Sequence, residues 1–591
     1  MSDSNQGPLT PPSESAPRPT WSFAGDSPDA GPVVAPVVPT RRPASPGSTT
    51  RWGIALVITA LVVGIASAGF FILSSGAATS NLVDYVPINS VGYFEVRLDA
   101  PGDQRQNAAN VLSHFPGFLD QSDLGLKIDE ALDQAIGGVT ANKDNYTTQI
   151  KPWLGDAMAV ALSPPPTAGT TMRPGGLYLV ATKDPRAAGA WAASILGPGT
   201  STETYGGVAL TVIEHSGHRL VYGVVGTVLI AGDEDAAKAA IDTQGNSTFA
   251  GGPSFSAAVA ATSGDHLVFG FLDLQSLLSR VAAAAPTASS LSSLISAVPA
   301  WAAVTIRAEG NGLSSTVVFP QTPLTSSQTN TVSSIAPRLP ATTIAAFEAH
   351  SIGALVTNTI STAQVRSGFG TSPSPGPLDQ ALKAVGGINR LIGWMGDGSL
   401  VVVGGGAQPS VGLAIEAKDA QTAGDEVAQI KNLVALAGAA ASVTTHDETY
   451  DGTTITIIDL GNAQQLLGSR AAMLPAGVGG RIEIAVAQKD DLVLAGLGDA
   501  FVKSMLDAKP GSSLADQARY REAVNAAGAS NTGQAYLDLA AIVNLVESEM
   551  PADARASFDT NDRPYLAPLK AFAAAGTAGD PTHAHFIVII H

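Results

Sequence analysis

The sequence predicts an α+β protein: a duplicated ectodomain of mainly antiparallel sheet with packed helices, behind one N-terminal transmembrane helix and a disordered tail. Two observations predict the sheet. Short apolar runs alternate with polar residues at period two, and many are joined by connections too short to hold a crossover. The third observation is repetition. "WLGD" at Trp153–Asp156 returns as "WMGD" at Trp394–Asp397, "ETYGGVALTVIE" from Glu203 returns as "ETYDGTTITIID" from Glu448, and "GFLDL" ending at Leu274 returns as "AYLDL" ending at Leu539. The copies keep their order. A residue demanded by the fold should therefore recur, whereas a residue of a single active site need not.

At 591 residues, 45% of them hydrophobic and 14% charged, the chain has enough apolar surface for several domains. Cysteine is absent, which excludes disulfides, thiolate nucleophiles, cysteine-ligated metals and lipoprotein acylation. The net charge of −18 lies beyond residue 52, because Arg18, Arg41, Arg42 and Arg51 balance Asp3, Glu14, Asp26 and Asp29 before it. A surface so acidic repels phosphate backbones, and no nucleic-acid partner is expected.

Gly53–Leu73 reads "GIALVITALVVGIASAGFFIL", 21 residues without a charge. A helix of that length spans roughly 30 Å, the thickness of a bilayer core. Arg41, Arg42 and Arg51 precede it, and the next basic residue is Arg97. The positive-inside rule then predicts a single-pass signal-anchor in the cell membrane, with the N-terminus cytoplasmic and the bulk extracytoplasmic. A cleaved signal peptide is the competing reading, but its apolar core is shorter and nearer the N-terminus. Residues 1–52 are dense in Pro, Ser, Gly and Thr and read as a disordered cytoplasmic tail. Residues 74–84 read as a tether.

The first repeat is expected over 85–319. It opens with a strand at Val91–Leu98, where Tyr93, Glu95 and Arg97 alternate with Phe94, Val96 and Leu98. Helices follow around Arg105–Phe115 and Leu126–Ile136, then strands at Met158–Leu162 and Leu177–Thr182. Asp184-Pro185 signals a helix start, a cap residue followed by Pro at the first helical position. Strands around Val208–Glu214 and Leu220–Ala231, a helix at Glu234–Ile241, a strand at Leu267–Leu272 and a helix at Leu274–Ala284 come next. A hairpin with Asn311-Gly312 at its turn closes the repeat. Residues 320–337 read as a linker. The second repeat, 338–591, starts with "LPATTIAAFEAH", which aligns with "VPINSVGYFEVR" so that Pro340 answers Pro87 and Glu348 answers Glu95.

Together, "YVPINSVGYFEVRLDAPGDQRQNAANVLSHFPGF" (Tyr85–Phe118), "IDEAL", "PWLGDAMAVAL", "VATKDPRAAGAW", "ETYGGVALTVI" and the "FLDL" before a helix resemble the bacterial domain-of-unknown-function family 3352. The resemblance covers roughly residues 80 to 590 and implies a membrane-anchored, extracytoplasmic bacterial protein. It brings no activity and no catalytic residues. The second copy departs from the pattern, with the shorter "HSIGALVTNTIS" in place of the "PGDQR…HFPGF" segment.

The recurring carboxylates Asp184/Asp419, Asp233/Asp499 and Asp273/Asp538 each precede a helix, where a cap that accepts backbone N–H bonds explains them. Glu95 and Glu348 stand mid-strand, where Glu is disfavoured, and mark either a polar groove or a salt-bridged face, Glu95 pairing with Arg97. Trp153 and Trp394 precede Gly-Asp and read as core packing, with a ligand-stacking platform as the alternative. His583, His585 and His591 would share one strand face able to hold zinc, but no carboxylate accompanies them, and the other histidines lack metal-ligand helix spacing. No metal site, cofactor or catalytic set is expected, since no nucleophile elbow, P-loop, zinc-helix or dinucleotide motif occurs. The expected function is a non-catalytic binding or scaffolding component of the bacterial envelope, partnered by the cytoplasmic membrane and by an envelope protein or a lipid. The alternative is a carrier or receptor for a lipid or other apolar molecule. An envelope hydrolase ranks third.

Overall fold

The computed structural model describes residues 81–118, 145–164, 175–284, 298–354, 392–462 and 480–591 apart from single positions, with a few residues near 125–133. The anchor at 53–73, the tail and the tether lie outside the described residues. No helix among the described residues is long and apolar enough to cross a membrane.

Among the described residues, twenty strands form one sheet. In chain order they are β1 (Gly92–Arg97), β2 (Leu154–Leu162), β3 (Gly176–Thr182), β4 (Ser201–Tyr205), β5 (Val208–His215), β6 (His218–Val225), β7 (Val228–Asp233), β8 (Val268–Asp273), β9 (Trp301–Glu309) and β10 (Gly312–Phe319). Then follow β11 (Thr343–Ala349), β12 (Gly398–Val403), β13 (Ser410–Glu416), β14 (Thr444–Tyr450), β15 (Thr453–Asn462), β16 (Arg481–Lys489), β17 (Leu492–Leu497), β18 (Gly533–Leu537), β19 (Leu569–Thr577) and β20 (Thr582–Ile590). All pairings between these strands are antiparallel. Their spatial order runs 4-5-6-7-3-2-1-8-9-10 and then 20-19-18-11-12-13-17-16-15-14. Strand n of the first series thus has the neighbours of strand n + 10 in the second, and the series meet where Ser315 of β10 faces Phe586 of β20.

The helices follow the same rule. α1 (Gln104–Leu112) lies between β1 and β2. α2 (Pro185–Leu196), α3 (Glu234–Thr243), α4 (Pro253–Ala261) and α5 (Leu274–Ala284) follow or precede the same strands as α6 (Ala420–Ala441), α7 (Ala500–Asp507), α8 (Ala518–Ala527) and α9 (Leu539–Ser548). Two more helices among the described residues, α10 (Ala552–Asn561) and the short α11 (Arg563–Leu566), precede β19.

Alternation decides which face each strand buries. On one face Tyr93, Leu179, Ile230 and Phe271 pack with Phe249 and Phe255 near α3 and α4. The equivalent face of the second series packs Val401, Leu494, Tyr536 and Ile587 against Phe501, Met505 and Val524 of α7 and α8. A third core lies on the opposite face and is shared. It joins Val111, Trp153 and Trp191 from the first series to Phe558, Leu569 and Val588 from the second. Each large side chain so buried contributes about 1.5–3 kcal/mol.

The segment found only in the first copy has a clear task. Gln104 is buried, donates to Ala308 O at 3.3 Å and accepts from Ala308 N at 2.8 Å, satisfying a strand position that extends beyond β8. Two sequence expectations are corrected here. The stretch Leu220–Ala231 is two strands, divided where Gly226 takes a φ of +57°. Ser201–Tyr205 is a strand that apolar alternation missed, because it is a polar sheet edge and packs little. The expected helix Leu126–Ile136 lies largely outside the described residues.

Candidate functional site

The recurring motifs sort into scaffold and site. The "ETY" stretches are the two sheet-edge strands, β4 and β14. Their turns, Gly206-Gly207 and Asp451-Gly452, all have positive φ, as a two-residue hairpin with right-handed twist requires. Glu203 pairs with Lys238 at 2.7 Å and Glu448 with Lys503 at 3.0 Å. Tyr205 lies under Lys238 and donates to Asp242; Tyr450 lies under Lys503 and donates to Asp507. This network occurs twice and is exposed, so it serves the edge strands.

The helix-start carboxylates divide. Asp184, Asp419, Asp273 and Asp538 accept backbone N–H bonds from their helices. Asp233 and Asp499 make no such bond. Asp233 instead accepts from Gly176 N at 2.8 Å across the sheet, and Asp499 pairs with Lys503 one turn on.

Trp153 is buried, 5.1 Å from the Trp191 ring, and donates to Gln149 O at 2.7 Å. Trp394 is half-buried against Ala417, Ala423 and Val427. Neither forms an open platform. His585 bonds Thr316 Oγ1 at 2.7 Å while His591 sits 3.7 Å from Glu522, so these C-terminal histidines serve separate partners.

Glu95 and Glu348 occupy equivalent positions on β1 and β11, and both are turned inward. Glu95 accepts from Tyr93 Oη and lies 3.9 Å from Arg97, which is held by Asp99 at 2.6 Å. Burial pushes the Glu95 carboxyl up, as it does that of Glu348. Where the first copy has Arg97, the second has His350, two residues past Glu348.

Around His350 the polar groups are closely organised. Its Nδ1 lies 2.7 Å from Asp397 Oδ2, the aspartate of "WMGD". Its Nε2 lies 3.2 Å from Asn531 Oδ1. Asn531 donates its amide to Gly528 O at 2.9 Å and to Gln534 Oε1 at 3.1 Å, which fixes its oxygen toward the histidine. His350 Nε2 therefore carries a proton. Burial opposes ionisation of Asp397, but hydrogen bonds from His350 and Ser351 N outweigh it and hold the carboxyl below its usual range. Its bond to Asp397 raises the pKa of His350 against the opposing effect of burial. Glu348 Oε2 accepts from Ser333 at 2.6 Å and Gln534 at 3.1 Å. Glu348 Oε1 is buried without a hydrogen-bond partner, 3.9 Å from His350 Nδ1.

Ser333, Ser334 and Arg338 come from the region expected as a linker and its edge. Ser334 donates to Glu416 at 2.6 Å, Arg338 bridges Glu416 and Asp491, and Thr331–Val332 pairs with Ser530–Asn531. Sequence reasoning missed His350 and Asp397 as partners. The available signal was Glu-x-His on a strand together with an aspartate recurring at the entry to the next strand.

With the geometry of both copies in hand, comparison with known proteins is direct. The model of a family of proteins of unknown function, DUF3352, matches residues 112–591. The chain belongs to that family. No curated protein matches it. Among solved structures, two crystal forms of TP0453 are similar. Form I shares 9% identity with a TM-score of 0.21, covering 41% of this chain and 79% of its own. Form IV shares 10% identity with a TM-score of 0.21, covering 42% and 85% respectively.

Proposed function

We propose that this DUF3352 protein is a non-catalytic, single-pass membrane-anchored component of the bacterial envelope, with its N-terminus cytoplasmic, whose duplicated extracytoplasmic sheet binds a partner protein. The observation that carries the reading is an apolar row presented twice. Across β1, β2 and β3 the row is Phe94, Val160 and Tyr178; across β11, β12 and β13 it is Phe347, Leu400 and Leu413. The residues face one another in register. Exposure reaches 58% at Tyr178 and 44% at Phe347 and Leu400. Apolar groups aligned on neighbouring strands and open to solvent mark an interaction surface. The net charge of −18 disfavours anionic headgroups and favours a protein with an apolar centre and a basic or neutral rim.

The test is cross-linking and mass spectrometry of the full chain purified from membranes, comparing wild type with Phe347→Ser/Leu400→Ser. The expected result is one recurrent protein partner, lost from the double variant. Recovery of a lipid lost in the same way would replace the proposal with the carrier reading. Turnover of an envelope substrate would replace both. Orientation is tested by protease added to intact spheroplasts, which should remove the large domain and spare an N-terminal tag.

A further inference from the structure

We propose that His350 Nδ1, Asp397 Oδ2 and Glu348 Oε1 form a binding site for a divalent transition-metal ion of the zinc class. Each of the three residues offers one ligand atom within 4.8 Å of those of the other two. The side chains of Glu348 and His350 are 2% and 4% exposed, so an ion there would be shielded from bulk water.

The outer partners favour a metal site over a chance cluster. Each of the three groups has one atom tied back into the protein. Glu348 Oε2 is held by Ser333 and Gln534, Asp397 Oδ1 by Ser351 N at 3.0 Å, and His350 Nε2 by Asn531. The atoms left over, Glu348 Oε1 and Asp397 Oδ2, lie 3.9 and 2.7 Å from His350 Nδ1. Metal-binding histidines characteristically donate a hydrogen bond from the N–H of the ring nitrogen that does not bind metal, and held carboxylates keep one oxygen for the ion. Ser351 reaches its bond to Asp397 through a φ of +51°, a conformation uncommon for a residue other than glycine.

Distances are compatible with the ion. In a tetrahedral zinc site, bonds of about 2.0–2.1 Å set neighbouring donors about 3.3 Å apart. The His350–Asp397 separation is 2.7 Å and the His350–Glu348 separation 3.9 Å, so shifts of opposite sense centre the histidine between the carboxylates. Ser334 Oγ, 3.3 Å from Asp397 Oδ2, or a water completes the shell. One nitrogen and two carboxylate oxygens suit zinc better than magnesium or calcium, which take oxygen shells. Without metal, the second proton of the imidazolium occupies the same place.

The first copy is a built-in control. Arg97 Nε sits 3.9 Å from Glu95 Oε1, as His350 Nδ1 does from Glu348 Oε1. A guanidinium always carries its charge and offers no lone pair to a metal, so that position is filled by the protein itself.

The test titrates the metal-free full chain with zinc against a chromophoric chelator and follows the melting temperature in parallel. Wild type should bind one equivalent and melt higher with zinc. His350→Arg, which installs the cation of the first copy, should fold yet lose this equivalent and the thermal shift. Glu348→Gln, which keeps the Ser333 and Gln534 contacts, should bind at least about tenfold more weakly, and Asn531→Ala should weaken binding about 10–100-fold. Glu348→Gln also carries the test if His350→Arg does not fold. Absence of stoichiometric binding by folded wild type, or undiminished binding by both His350→Arg and Glu348→Gln, overturns the proposal.

Discussion

The two copies place a glutamate at the same point of a central strand and a basic nitrogen side chain two residues later, but Arg97 and His350 give these positions different chemistry. Arg97 leans on Asp99, beside its own strand, and its charge is permanent. His350 is gripped from three elements: Asp397 ahead of β12, Asn531 ahead of β18, and Glu348 on its own strand. The fold sets a basic side chain among inward-facing carboxylates in both places. Only the second copy fills that place with a group that can exchange its proton for another cation. Recurrence therefore identifies what the sheet needs, and departure from recurrence identifies where the chain has freedom to do something else.

The largest break in the comparison should come from the two tryptophans. Trp153 is 2% exposed within the core shared by the two strand series, its ring tilted against that of Trp191. Trp394 is half-buried in a small cluster beside α6. Trp153→Ala should cost about 3–5 kcal/mol, the range for a fully buried aromatic. Trp394→Ala should cost clearly less. Urea denaturation of both variants checks this, and equal losses would show that the sequence motif, rather than its packing, sets the energetics.

The turns should sharpen the comparison from the opposite side, by behaving alike. Gly207 and Gly452 have φ of +82° and +78°, and a Cβ added at either meets nothing within 4 Å. Alanine there should strain the backbone alone, costing roughly 1–2 kcal/mol at each position. Unequal losses would mean that one edge hairpin depends on contacts the other lacks.

What the sequence made legible follows from which interactions are local. Period-two alternation located most strands, and Asp184-Pro185 located the start of α2, because those signals lie within a few residues. The polar edge strand at Ser201–Tyr205 carries no alternation and was missed. The placement of Glu95 and Glu348 inside the protein was not readable, since an alternating strand does not say which face a helix will cover. The site itself joins Ser333, Glu348, Asp397 and Asn531, up to 198 residues apart. Pairing of β11 with both β12 and β18 brings the last two together with Glu348, and no spacing rule anticipates that. The register adds a further subtlety. Glu95 faces Ala159, three residues past Asp156, whereas Glu348 faces Ser399, two past Asp397. The first copy holds one extra residue, absorbed by the irregular pairing between Leu154 and Met158. A motif alignment alone therefore misplaces every later side chain of that strand by one face.

The smallest effect tests whether Glu95 is a strained charge or a useful one. Burial raises its pKa above the usual 4.5, with the Tyr93 hydrogen bond and Arg97 opposing. A carboxyl raised on folding contributes stability that is fully present below its unfolded pKa and is lost as pH rises through the folded value. At neutral pH wild type has lost that contribution, whereas glutamine keeps an acceptor for Tyr93 and has no charge to desolvate. Glu95→Gln should therefore melt slightly above wild type at pH 8, with the difference shrinking as pH falls and vanishing below about pH 4. Thermal melts across this range decide the matter. A destabilised Glu95→Gln at pH 8 would mean that the Arg97 attraction exceeds the burial penalty, making the first copy's cluster a true ion-pair anchor.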